Sequence, residues 1–430
     1  MRCLLVLDSN QYRPLAIDTT PHQTMTRRAS HRHASCPVIE CVVAGTFLYG
    51  LSRPRSWLVA KVAASQKIRG AAVNCRSLAT AVFCLALACV ADSAGAAEAF
   101  AASAAPASCA LGNLPSGALD KTFVLAGWPD RAYDLELPAT YVCGQPIAVV
   151  LVYHGGGGNK DNMRPLTCPA GDLRNPHCLD RAALSAGMAV VFANGTNARG
   201  SKLLNRGGLR TWNAGGGQNG YICVSGSACA DGVDDMAYTR ALLADLGRRI
   251  DIDGRRVFAT GFSNGAAMAQ RLACEAADTF AAIAPVSGEN QFALGGCAPS
   301  ARVAVLDIHG TLDKCWPYDG GDSGCLSSGL YVSVAETLAG WAARNGCDAT
   351  PATTTLPPRP GVHDGTSVVR LRYAGCGAGG ELEHLEVIGN GHYWPDGEAY
   401  ASGRRLGGVM SRQLDTGPAI VEFFSSHGRP

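Results

Sequence analysis

Apolar positions in this chain fall into two recurring patterns. Short unbroken runs at 147–153 (IAVVLVY), 189–193 (AVVFA) and 280–286 predict strands buried on both faces, and 303–308, which holds Asp307, reads as another strand. Longer stretches between them keep helical spacing. Met236, Leu242, Leu243, Leu246 and Ile250 fall on one face of a helix that Asp231 would cap, and 266–276 and 331–345 also read as helices. Shorter segments complete the pattern. A hairpin is predicted from 122–125 and 132–137, turning at Gly127-Trp128-Pro129-Asp130, with a short helix at 179–186. Strands are expected at 257–260, 367–373 and 382–388, and a closing helix at 416–427. Residues 194–230 are glycine-rich and loop-like, and no internal repeat is present. Strands alternating with helices predict an α/β fold: a mainly parallel central sheet with helices on both faces and functional residues at strand carboxyl ends.

The first hundred residues lack this pattern. Up to residue 72 neither period is sustained, and arginines are scattered among Ser, Thr, Pro and His. Asn74-Cys75-Arg76, an apolar run at 78–91 and Ser93-Ala94-Gly95-Ala96 then form the basic, hydrophobic and A-x-A parts of a secretory signal peptide. The run is too short to span a bilayer, so stable membrane insertion is not expected. The sequence therefore divides into an extension foreign to the natural product (1–72), a signal peptide (73–96), a small-residue linker (97–117) and a catalytic domain (118–430).

Composition agrees with export of a globular protein. Of 430 residues, 47% are hydrophobic and 17% charged, and the net charge of +2 provides no basic excess for a nucleic-acid partner. Twelve of the 18 cysteines follow residue 96, an even number without a C-x-x-C pair, so disulfides are expected rather than a metal site. Many lie close together in sequence, which favours pairing between neighbours. The location expected is secreted or periplasmic.

The chemistry centres on RRVFATGFSNG at 255–265. A strand runs into Gly261-Phe262-Ser263-Asn264-Gly265 and a helix follows at once, the setting in which G-x-S-x-G is informative. Glycine on either side of so sharp a turn removes side chains that would strike the neighbouring strand or helix, leaving the Ser263 hydroxyl at the tip. The bland alternative is a strand–helix turn without chemistry. Asp313 in His309-Gly310-Thr311-Leu312-Asp313 and His392 in Gly389-Asn390-Gly391-His392 also follow strands. Ser, then acid, then His is the α/β-hydrolase order. His392 would take the serine proton and pass it to the leaving alcohol, while Asp313 would hold the imidazole tautomer. Asp307, Asp319 and Asp322 compete for the acid role, and His309, His363, His384 and His427 for the base, with His309 and His384 read as structural. The oxyanion hole would use the backbone N–H of Asn264 and a donor from the His154–Gly158 loop, Gly156 or its neighbour Gly157. Asp234 and Asp235 suit a helix first turn and are read as structural.

Together Val233-Asp234-Asp235, Gly-Phe-Ser-Asn-Gly-Ala at 261–266, His-Gly-Thr-x-Asp at 309–313 and Gly-x-Gly-His-x-Trp-Pro at 389–395 resemble the secreted esterases of the polyhydroxybutyrate depolymerase and feruloyl esterase type. The resemblance extends over roughly 118–427. It implies an α/β-hydrolase fold, no cofactor, a triad of Ser263, Asp313 and His392, and an oxyanion segment after His154. Cys315-Trp316-Pro317-Tyr318 and an insertion at 223–229 depart from the simplest members and leave the substrate open.

The chain stops just after its last helix, without the added binding domain of a depolymerase acting on solid polyester. That favours a small-molecule or polysaccharide-linked ester, with a feruloyl ester first and acetyl xylan or hydroxyalkanoate oligomers as alternatives. Trp212, Trp316 and Trp394 could flank the substrate, although core packing explains each equally well. A non-catalytic binding protein of the same fold is the alternative from another class.

Overall fold

A computed structural model describes residues 114–197, 210–216, 223, 227–292, 296–323, 330–399 and 408–429. All belong to the unit Ala97–Pro430. The expected extension, signal peptide and most of the linker lie outside the described residues. The last linker positions are part of the fold: Leu114 is buried, and the Gly117 N–H donates to Tyr141 O at 2.8 Å.

The elements run β1 (Leu119–Leu125), β2 (Trp128–Leu137), β3 (Ile147–Tyr153), α1 (Lys160–Leu166), α2 (Leu179–Ser185), β4 (Ala189–Ala193), β5 (Thr196–Asn197), β6 (Arg210–Thr211), α3 (Ser227–Ala230) and α4 (Asp235–Gly247). There follow β7 (Ile252–Phe262), α5 (Asn264–Glu275), β8 (Ala282–Val286), β9 (Ala304–Gly310), β10 (Gly321–Asp322), β11 (Leu330–Tyr331), α6 (Val334–Asn345), β12 (Ala352–Thr355), β13 (Ser367–Arg372), β14 (Leu382–Ile388) and α7 (Thr416–Ser425). The main sheet has ten strands in the order β1-β2-β4-β3-β7-β8-β9-β14-β13-β12. Its centre, β4 to β14, is parallel, and the hairpin β1–β2 and the strands β13 and β12 add antiparallel edges. This is the α/β-hydrolase fold expected of the chain.

Alternate residues of β3 feed the two faces of the sheet. Val149, Leu151 and Tyr153 pack into one core with Leu242, Met268, Leu272 and Trp341 of α4, α5 and α6. Ala148, Val150 and Val152 pack into the other with Met163, Leu179, Ile420 and Phe424 of α1, α2 and α7. Every residue of β3, β4, β8 and β9 is buried, which is why β3, β4 and β8 are apolar throughout, whereas β9 carries Asp307 and His309, both buried and hydrogen-bonded. Among the described residues no helix is long and apolar enough to cross a membrane.

Two helix starts differ from expectation by three residues. Asp234, not Asp231, caps α4, its carboxylate accepting the Ala237 N–H at 2.8 Å. Helix α6 begins at Val334, because Ser333 and Glu336 form a reciprocal capping box there. Asp235 does more than complement a dipole. It is fully buried, pairs with Arg131 at 2.5 Å and accepts the Asn213 N–H at 2.5 Å. Disulfides join Cys168 to Cys178, Cys223 to Cys229, Cys274 to Cys297 and Cys347 to Cys376, each between cysteines adjacent in the sequence order. Cys143 and Cys315 are disulfide-bonded as well.

Candidate active site

Strand β7 ends at Phe262 and α5 begins at Asn264, so Ser263 alone makes the turn. It does so at φ 56° and ψ −119°, a region that residues with a Cβ seldom occupy. Close packing holds it there. A Cβ on Gly261 would lie 2.5 Å from the Tyr153 carbonyl oxygen, and one on Gly288 would lie 2.2 Å from the Ser263 carbonyl oxygen. The Ser263 N–H donates to Val286 O at 2.9 Å, and its carbonyl accepts the first helical N–H, from Ala267, at 3.0 Å.

The acid and base arrive on neighbouring strands. Strands β9 and β14 are parallel partners, and the loops that leave them are knitted together. The Leu312 N–H donates to Asn390 O at 2.9 Å, and the Asn390 side chain donates to Gly391 O and accepts the Ser411 N–H, both at 2.8 Å. As a result His392 stands between the other two residues. The Ser263 hydroxyl meets His392 Nε2 at 3.0 Å, and His392 Nδ1 meets Asp313 Oδ2 at 2.7 Å. All three are buried to about the same degree, with 4–5% of their surface exposed. The second oxygen of Asp313 accepts the backbone N–H groups of Cys315 and Trp316, each at 2.8 Å. Burial alone would raise the Asp313 pKa. The imidazoles of His392 and His309 and their hydrogen bonds outweigh it and hold the carboxyl well below the usual range.

The competing residues lie elsewhere. Asp307 is buried and bonded to His384 at 2.7 Å, and His384 in turn meets the Tyr318 hydroxyl at 3.1 Å. Asp319, Asp322 and His363 are exposed, and His427 lies against Glu381 at 3.7 Å. His309 is close to the site, however. Its Nε2 is 3.3 Å from the same Asp313 oxygen that His392 bonds, and its Nδ1 is 2.7 Å from Glu289. Glu289 went unnoticed in the sequence. A charged residue just after a fully apolar strand was the only available signal.

On the other side of Ser263 lies the loop after β3. Gly155 packs against it, since a Cβ there would be 3.5 Å from the Ser263 Cβ. The buried His154 imidazole anchors this loop, bonding Gly155 O at 2.8 Å and the Gly195 N–H at 2.9 Å. Strand β6 supplies a second anchor. The Gly157 N–H donates to Arg210 O, and the Arg210 N–H to Gly158 O, both at 2.8 Å. Gly157 is thereby removed as an oxyanion donor, because its N–H is already used within the protein. Gly156 is exposed in the same loop. Asn264 holds the first helical position of α5, and its side chain clasps the next segment by accepting the Trp212 N–H at 2.7 Å and donating to Trp212 O at 3.1 Å.

The tryptophans require correction. Trp212, Trp316 and Trp394 are each no more than 1% exposed. Trp212 packs on Tyr153 and His154 and donates its indole N–H to His154 O, while Trp316 packs on Tyr331. Trp394 belongs to the core beneath α7. All three support the site from behind and present no open face to a substrate. Among the described residues Asp313, Cys315 and His392 form an acid–sulfur–imidazole cluster, but it offers no thiolate to a metal because Cys315 is in a disulfide.

Comparison with known proteins gives relatives of one kind. A protein of Nocardia uniformis subsp. tsuyamanensis named as an esterase is 28% identical over 289 residues, covering 65% of this chain and 74% of its own length. Feruloyl esterase B of Piromyces equi is 26% identical, over 55% of this chain and 40% of that protein. A feruloyl esterase C assigned in Aspergillus niger is 30% identical, over 50% of this chain and 63% of its own length. The chain thus spans only 40% and 63% of the length of these two feruloyl esterases. An acetyl xylan esterase from Aspergillus awamori superposes with a TM-score of 0.41 at 16% identity, covering 65% of this chain and 94% of that one, a likeness too low to add to the fold argument. No family model matches the chain.

Proposed function

We propose, from its kinship with the α/β-hydrolase esterases, that this chain is a serine carboxylic-ester hydrolase of feruloyl-esterase type acting through an acyl-enzyme on Ser263. The observation that carries this reading is the hydrogen-bonded line from Asp313 through His392 to a serine held at positive φ. In the proposed reaction His392 Nε2 removes the Ser263 proton as Oγ attacks the ester carbonyl. The resulting oxyanion is met by the backbone N–H of Asn264 and that of Gly156, each such donor worth ~10²–10³ in turnover. His392 then returns the proton to the leaving alcohol, and a water molecule repeats the sequence to release the acid. Asp313 keeps its charge throughout, with one oxygen on His392 and the other on the backbone.

The names of the relatives support a feruloyl ester as substrate, either free or attached to a polysaccharide. The disulfides support export to an oxidising compartment. A fluorophosphonate should label Ser263 in the wild type and nothing in Ser263→Ala. Hydrolysis rates on methyl ferulate, acetylated xylan and hydroxybutyrate oligomers should be highest on the first. Labelling without a ferulate preference would discard the substrate assignment alone, whereas no labelling and no hydrolysis would discard the enzyme.

A further inference from the structure

Asp313 is shared by two imidazoles, and the serine mechanism uses only one of them. We propose that His309 is a positioning residue for the Ser263 reaction: clamped between Glu289 and Asp313, it fixes the Asp313 carboxylate and cancels the charge of Glu289, so that His392 faces a single net negative charge. The proposal rests on the hydrolase reading above.

The geometry supplies the argument. His309 is wholly buried on β9, and both of its ring nitrogens face acceptors. On one side Nε2 meets the Trp316 carbonyl at 2.9 Å and Asp313 Oδ2 at 3.3 Å. A carbonyl can only accept, so Nε2 carries a proton. On the other side Nδ1 lies 2.7 Å from a carboxyl oxygen of Glu289. A lone pair facing a carboxylate at that distance would be repulsive, so a proton lies between them. The Glu289–His309 pair is therefore neutral as a unit, wherever its inner proton resides. Desolvation would push the His309 pKa down, but the bonds to Asp313 and Glu289 raise it well above the ordinary value, in keeping with an imidazolium.

Trp316 ties this pair to the acid a second time, because its N–H donates to Asp313 while its carbonyl accepts from His309. Asp313 Oδ2 is thus bracketed by His392 and His309, and Oδ1 by two backbone N–H groups. The other titratable groups on this side are Asp307, paired with His384; Tyr318, whose ring lies 5.8 Å from His309; and Glu386, opposite His309 in the β9–β14 register. The variants below leave them all in place.

Replacing His309 by glutamine keeps an N–H donor but cannot carry the extra proton, leaving Glu289 and Asp313 as two uncompensated carboxylates behind His392. In His309→Gln, kcat on a soluble aryl ester should fall about 10- to 100-fold with KM changed less than about threefold, because orientation is lost rather than binding. The acid limb of kcat/KM should move up by about one pH unit, since a nearby negative charge favours protonated His392. Adding Glu289→Gln should return the limb to the wild-type pH while kcat stays low. A merely structural role would not produce a limb that tracks the charge of residue 289. Fluorophosphonate titration of Ser263 would normalise each rate to correctly folded sites. Wild-type kcat and pH profile in His309→Gln would overturn the proposal, as would a double variant whose limb stays where the single variant put it. Should His309→Gln not fold, the double variant, whose two amides can bond each other, is read by itself: low kcat with a wild-type limb supports the proposal, and wild-type kcat overturns it. Neither negative result touches the hydrolase reading, which falls only if Ser263→Ala still turns over ester.

Discussion

The imidazole Nε2 of His154 accepts the backbone N–H of Gly195 at 2.9 Å, which requires that nitrogen to be unprotonated. The proton then sits on Nδ1, where it is donated to Gly155 O. His154 is therefore neutral in the folded protein, and burial, aided by the cations Arg210 and Arg131, pushes its pKa down to about 3 from 6.5. In the unfolded chain the same residue titrates normally. A depressed folded pKa means that stability is intact above pH ~6.5 and is lost progressively as pH falls toward ~3. The loss should amount to a few kcal/mol. Urea midpoints of the wild type and His154→Gln, measured from pH 7 to 4, should differ in slope, with the variant less sensitive to acid. Parallel slopes would contradict the assignment.

Backbone contact makes a sharper prediction at the elbow. A Cβ on Gly265 would lie 2.1 Å from the Tyr153 carbonyl oxygen, whereas one on Gly254, in the strand that leads to the elbow, would meet nothing within 4 Å. Gly265→Ala should cost ~3 kcal/mol or more, or prevent folding, and Gly254→Ala should be within ~0.5 kcal/mol of neutral. Thermal unfolding of the two variants tests this directly.

Asp234 and Asp235 are adjacent yet should behave very differently. Asp234 caps α4 from an exposed position, so Asp234→Ala should cost about 1 kcal/mol. Asp235→Ala would strand the Arg131 guanidinium, which is buried beside Tyr238, Trp212 and Trp128, and should cost ~3–5 kcal/mol. Equal losses measured by denaturant would show that the buried pair contributes no more than a cap.

Within the triad, Ser263→Ala should lower kcat by ~10⁴–10⁶ and His392→Ala by nearly as much, without change in thermal stability beyond a few degrees. Asp313→Asn should lower it by ~10³–10⁴, because the imidazole remains but its tautomer is no longer enforced. Combining Ser263→Ala with His392→Ala should add almost nothing to either alone. Additive losses in kcat would show that the residues do not act as a unit.

The centre of this fold was legible because a strand covered on both faces has no choice but to be apolar, and 147–153 and 189–193 match their observed strands residue for residue. The periphery was not. Helix α1 contains Pro165 and buries only Met163, so it has no apolar face to read, and β12 is an exposed threonine-rich edge. At the site, the order of Ser263, Asp313 and His392 and their positions after strands were visible because each sits in a glycine-marked turn. The state of the Gly157 N–H was not visible, since its acceptor, Arg210, lies on a separate short strand. Nor was the Glu289–His309 pair, whose members are brought together by the β8–β9 register rather than by any local pattern. The tryptophans were misplaced for a related reason. Aromatic content near a motif is the same whether the ring lines a cleft or fills the core behind it.

Four disulfides lie wholly among the described residues; they close in sequence order, over separations of 10, 6, 23 and 29 residues, and none interleaves with another. In a chain threaded amino-terminus first into an oxidising compartment, each of these cysteines meets its partner before the next pair has emerged. Indiscriminate oxidation of whichever two thiols are present then yields these native bonds by arrival order alone. Production in a host that has a thiol oxidase but lacks an isomerase should therefore give the same four pairs.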